Sequence, residues 1–65
     1  MNLIVNGNEY QLDVVTIQDV VVHFGLAGKP VVVEAGGTVY ASEQWATTAV
    51  QDHMRIELVH FVGGG

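Results

Sequence analysis

The sequence predicts an α+β domain: a mixed sheet with one helix packed across one face. Three observations lead there. Two short apolar-rich runs flank Asn6-Gly7-Asn8. Apolar residues then switch to helical spacing at Ile17, Val20, Val21 and Phe24. After Pro30 the chain returns to short β-type runs, of which Arg55–Phe61 is the last.

Asn-Gly between apolar runs is a hairpin signal, because both central residues of a type I′ turn need positive φ. Strands are expected at about residues 2–6 and 9–13. Ile17, Val20, Val21 and Phe24 stand at i, i+3, i+4 and i+7, one face of a helix. Thr16 is a suitable N-cap, and Asp19 occupies the N3 position of a capping box, where Glu or Gln is the commoner choice. Val15 and Val20 have the spacing of a hydrophobic staple. Gly25 is placed to take the left-handed conformation that closes the helix. β-Branched valines are poor helix formers, so packing must hold this helix.

Pro30 opens a third strand, Val31–Glu34, where a missing N–H is tolerated. Gly36-Gly37 is a turn signal, and Thr38–Tyr40 a short returning segment. Ser42-Glu43-Gln44-Trp45 reads as a short helical turn capped by Ser42. Asp52-His53-Met54 is a turn by position more than by chemistry. In the last strand Ile56 and Leu58 point to one side, Val59 and Phe61 to the other. One helix covers such a sheet compactly when the first and last strands are central neighbours. That arrangement is the β-grasp, or ubiquitin-like, architecture. It divides the chain into a β-grasp domain over 1–61 and a flexible C-terminal glycine tail over 62–65.

With 65 residues and no cysteine, the chain has room for one small core and no disulfide to staple it. A domain of this size buries only about 60% of the surface its unfolded chain exposes. A thiolate zinc site is excluded, and His23, His53 and His60 fall on different elements, so no metal site is expected. The opening MNLIVNGNEY lacks the pattern of a signal peptide. No apolar run approaches the roughly 20 residues of a membrane span. A cytoplasmic protein is expected. Net charge is -5, with Lys29 and Arg55 the two cations. Nucleic acid is a poor partner for such a surface, whereas a basic protein surface is a good one.

The candidate chemistry lies in Phe61-Val62-Gly63-Gly64-Gly65. Glycines lack a Cβ and are thin and conformationally free. Four extended residues span at most about 14 Å, enough to carry a terminal carboxylate through a narrow channel into another protein. A carboxylate is a poor electrophile, and an acyl-adenylate made with ATP is the usual way to activate it. A sulfur nucleophile that then displaces AMP leaves a thiocarboxylate. The bland alternative for three terminal glycines is a frayed end. Their position directly after a β-grasp strand, on a body with no expected concave site, favours the reactive reading.

Taken together, the NLIVNG hairpin, Thr16-Ile17-Gln18-Asp19, Val32-Val33-Glu34, Glu43-Gln44-Trp45 and Ile56 through Gly65 resemble the ThiS family, ubiquitin-like sulfur carriers of thiamine biosynthesis. The resemblance implies that Gly65 is adenylated by an E1-like enzyme of the ThiF type and then thiocarboxylated. It makes Gly63 and Gly64 the threading residues. A cysteine desulfurase or other donor would supply the sulfur, and a thiazole synthase of the ThiG type would receive it. The chain would be a protein cosubstrate without catalytic residues or a cofactor of its own, ATP being used by the activating partner. Departures from the family pattern are Ala41-Ser42 where many members have Pro-Arg, Asp52-His53-Met54 where many have Gly-Asp, and Ala35 where a basic residue is common.

Val59 and Phe61, continued by Val62, have two readings: an apolar docking patch for partners, or residues that finish the core. Trp45 reads as a packing residue rather than a stacking platform. Glu9, Asp13, Glu34 and Glu57 read as a solvated acidic face. Other functions compatible with the same pattern are the small subunit of molybdopterin synthase, usually a longer chain, a ubiquitin-like modifier, and an interaction domain with an inert tail. The free chain is expected to be monomeric.

Overall fold

Residues 1–61 are described by the structure, a computed structural model. β1 (Asn2–Val5) and β2 (Asn8–Gln11) form the predicted hairpin, with Val5 opposite Asn8 and a two-residue turn between them. Asn6 and Gly7 take φ of 51° and 82°, the left-handed region that a type I′ turn requires. β2 ends two residues earlier than its expected limit of 13. Leu12 still exchanges backbone hydrogen bonds with Met1, after which the buried Val14 leads the chain away to the helix.

The helix α1 (Ile17–His23) carries both expected caps. Thr16 Oγ1 accepts from the Asp19 N–H at 3.2 Å, and the Asp19 carboxylate accepts from the N–H groups of Val15 and Thr16 at 2.9 and 3.0 Å. Two orphan donors of the first turn are thereby satisfied reciprocally. At the other end Gly25 (φ 71°) donates to the Val22 carbonyl and Leu26 to that of Val21, the paired bonds of a Schellman motif. The hydrophobic staple does not form. Val15 is 66% exposed, because its backbone is drawn to the Asp19 carboxylate and to Val50.

β3 (Val31–Ala35) and β4 (Thr38–Tyr40) pair antiparallel, and a 3-10 helix spans Ser42–Thr47. Ser42 is not its cap. The turn starts one residue earlier, where the Ala41 N–H is held by Gln44 Oε1 at 2.8 Å, and the Ser42 hydroxyl donates to Glu43. Trp45 is buried and its Nε1–H donates to the Tyr40 carbonyl at 3.0 Å, as a packing indole requires. The turn before the last strand has chemistry that local reading did not find. The Asp52 carboxylate accepts the Asn2 N–H at 2.7 Å, and His53 takes φ 66°.

β5 (Arg55–His60) occupies the centre of the sheet, whose order is β2-β1-β5-β3-β4. It runs parallel to β1 and antiparallel to β3, so the first and last strands are neighbours, as predicted. Leu3, Val5, Val33, Ala35, Ile56 and Leu58 point to one face and are buried with Ile17, Val20 and Val21 of α1. Each fully buried aliphatic side chain contributes on the order of 1.5–3 kcal/mol. One sheet face and one helix face therefore make the core, and the other sheet face is left open.

Candidate functional site

The central strand delivers the chain to its last residues. From Arg55 to His60 it is bonded to β3 over five residue pairs, and the Phe61 N–H still donates to the Pro30 carbonyl at 3.1 Å. Val62, Gly63, Gly64 and Gly65 lie outside the described residues. Of the partner-binding residues predicted, Val59 and Phe61 lie within them.

Strand alternation decides between the two readings of this pair. Ile56 and Leu58 enter the core, so Val59 and Phe61 project from the open face, 50% and 54% exposed. Neither completes the core. Register adds two residues that the sequence did not single out. Val32 stands directly opposite Val59, and Val39 opposite Glu34; they are 40% and 63% exposed. An apolar patch of Val32, Val59 and Phe61 thus lies at the end of the strand that leads to the terminus, and Val39 stands on the same face beside Glu34 in the edge strand. Exposed apolar clusters on a small domain mark interaction surfaces.

Within the same face Glu34 and Glu57 are direct cross-strand partners. Like charges opposite one another weaken a strand pair. The only close contact between an acidic and a basic side chain among the described residues joins His53 to Asp52 at 3.3 Å on exposed side chains, so neither glutamate is neutralised by a cation there. The open face therefore combines apolar contact area with two adjacent carboxylates, a surface complementary to a partner that brings apolar side chains and a cation. Ala35, where the resemblance leads one to look for a basic residue, is buried. Its lack of charge takes nothing from the open face.

No polar or charged side chain among the described residues is buried, and no group of three metal-ligating side chains occurs among them. The shallow grooves along the hairpin and beside Tyr10 and Phe24 are open to solvent. No helix among the described residues is long and apolar enough to cross a membrane.

Comparison with known proteins gives a consistent result. The ThiS family model matches residues 3–65. The sulfur carrier protein ThiS of Bacillus subtilis (strain 168) is 37% identical over 62 residues, covering 92% of this chain and 94% of that protein. The crystal structure of the thiamine biosynthesis protein ThiS from Geobacter metallireducens superposes with a TM-score of 0.80 at 32% identity, with complete coverage of both chains. The solution structure of a thiamine biosynthesis protein from Geobacter metallireducens gives 0.81 at 32% identity, covering all of this chain and 88% of that one.

Proposed function

This chain belongs to the ThiS family, non-enzymatic sulfur carriers of thiamine biosynthesis, and on that premise we propose that its Gly65 carboxylate is the atom-bearing group of the carrier cycle. Membership implies partners from the thiamine pathway and a carrier that binds no cofactor itself. The finer assignments are ours. A ThiF-type enzyme adenylates Gly65: a carboxylate oxygen attacks the α-phosphorus of ATP and pyrophosphate leaves. Sulfur from a cysteine desulfurase or another donor, released as sulfide by a thiol reductant, then attacks the acyl carbon as HS⁻, AMP departs with the bonding electron pair, the proton passes to water, and a thiocarboxylate remains. A ThiG-type synthase consumes that sulfur in forming the thiazole. Gly63 and Gly64 thread the terminus into each partner. All of this takes place in the cytoplasm.

The observation that carries the reading is the continuity of the family match through residue 65, directly after a strand held in the centre of the sheet. The docking surface in this reading is the open face of Val32, Val39, Val59 and Phe61, extended by Val62. Its occupant is the adenylating enzyme. The adjacent Glu34 and Glu57 and the net charge of -5 favour a basic surface on that partner, which raises the rate of productive encounter more than the final affinity. Incubation with the activating enzyme, ATP and a sulfur donor should raise the intact mass by about 16 Da, one oxygen exchanged for sulfur by acyl activation. Tandem fragmentation should put the gain on Gly65. An unchanged mass with an active partner rejects the proposal.

A further inference from the structure

The parallel pairing of β1 with β5 is short. Ile4 faces Arg55 and Val5 faces Ile56. Its backbone bonds run from Ile4 N–H to the Met54 carbonyl at 3.0 Å and from Asn6 N–H to the Ile56 carbonyl at 2.9 Å. There β1 stops, because Asn6 enters the left-handed region and the chain turns back into β2. An uninterrupted parallel ladder would next offer Leu58 the backbone carbonyl of residue 6 as acceptor and the N–H two residues further along β1 as donor. The Asn6 side chain fills both roles. Leu58 N–H donates to Asn6 Oδ1 at 2.7 Å, and Asn6 Nδ2 donates to the Leu58 carbonyl at 3.1 Å. The partners fix the amide orientation, since an N–H meets only the oxygen and a carbonyl only the nitrogen.

Turn chemistry favours Asn here but does not require an amide. Asp and Gly are also accepted at the first position of a type I′ turn. Neither reproduces the donor and acceptor that Leu58 uses. Past Leu58, β5 has its pairing to β3 alone, through Val31 opposite His60 and the Phe61–Pro30 bond. Asn6 is thus the last tie on the β1 side before the chain leaves the sheet.

We propose that Asn6 is a positioning residue of the carrier reaction: its side-chain amide stands in for the two backbone groups a continued strand β1 would supply, clamps Leu58, and so sets where and in what direction the C-terminal segment departs. The inference rests on the reading that Gly65 is the reacting terminus. A segment of four residues reaches at most about 14 Å, so its point of departure decides whether its end meets a partner's active site. Tight docking and correct delivery are separable here, because the clamp lies outside the apolar patch.

Asn6→Gly keeps the turn and removes both bonds. Asn6→Asp keeps the turn and one acceptor, and sets an oxygen against the Leu58 carbonyl. Two measurements on the full chain test the proposal. Amide exchange of Leu58, compared with the buried helical amide of Val20, reads the clamp without any partner. Initial rates of sulfur loading against carrier concentration, at a temperature where every variant is folded, read delivery. The clamp predicts Leu58 exchange faster by about tenfold, the weight of one or two hydrogen bonds. It also predicts kcat lower by about tenfold with KM within about twofold, the split expected when an interaction acts after docking. Val50→Ala, a buried core change on none of strands β1, β3 and β5, should lower Tm and leave kcat as it was. Unchanged kcat in both Asn6 variants overturns the inference while the reading of Gly65 stands. A wild-type chain that takes up no sulfur overturns that reading, and this positioning role with it.

Discussion

Asp19 shows how one residue ties sequence to stability. The N–H groups of Val15 and then Thr16 hold its carboxylate below the ordinary value of 3.8, with slight desolvation opposing them and the Thr16 hydroxyl assisting. A depressed folded-state pKa means the unfolded chain takes up protons first as acid is added. The cap contributes fully above the ordinary carboxylate range and fades as pH falls through the folded-state value. Asp19→Asn should therefore lower Tm near neutral pH, and the gap should close in acid, where a protonated acid and an amide are alike. Thermal unfolding from neutral pH to acid checks this; a gap that stayed constant would assign the effect to shape instead of charge. Thr16 and Asp19 were legible in the sequence because a capping box lies within four consecutive residues. Asp52 was not, because its partner is Asn2, fifty positions away in the chain. The Asn6 clamp was hidden for the same reason: the turn residue could be read locally, and its bond to Leu58 could not.

At the scale of elements, β5 sorts its side chains by alternation alone. Ile56 and Leu58 belong to the core and Val59 and Phe61 to the open face; the sequence put the two pairs on opposite sides and left open whether Val59 or Phe61 finishes the core. Val32 and Val39 escaped notice because Val31, Val32 and Val33 are all valines, so no alternation marks which one faces outward. Only the register opposite Val59 does so. Two predictions separate the faces. Ile56→Ala should cost about 2–5 kcal/mol in denaturant unfolding, the usual range for emptying a buried aliphatic site. Val59→Asp and Phe61→Asp should leave the unfolding midpoint nearly unchanged and weaken binding to the adenylating enzyme by at least about tenfold, as loss of a central apolar anchor does. Titration calorimetry measures the second effect, and unaltered affinity would move the docking surface elsewhere. The misplaced cap at Ser42 has a simple cause. The Gln44 side chain reaches back to the Ala41 N–H, so the tight turn begins without a hydroxyl cap.

Over the whole molecule, the order of elements was readable because each has a local period, whereas the parallel neighbourship of β1 and β5 followed only from the need to cover one sheet face with one helix. That pairing puts the last strand in the centre of the sheet, and the body then serves as a rigid handle for the terminus. Its charge acts at longer range. Seven acidic residues against two cations make the association rate with a basic partner fall as salt rises, since exposed charges are screened beyond about 8–10 Å at physiological ionic strength. Stopped-flow association at increasing salt should show that slope, and Glu34→Gln with Glu57→Gln should flatten it. The terminal glycines were legible only as a pattern of residue types, and the role proposed for them is chemical: a carboxylate that must be free. The most direct measurement compares two synthetic forms of the complete chain, one ending in the Gly65 acid and one in its amide, in sulfur loading by the activating enzyme with ATP. The account predicts a thiocarboxylate on the acid form and none on the amide. Equal sulfur uptake by both would contradict it.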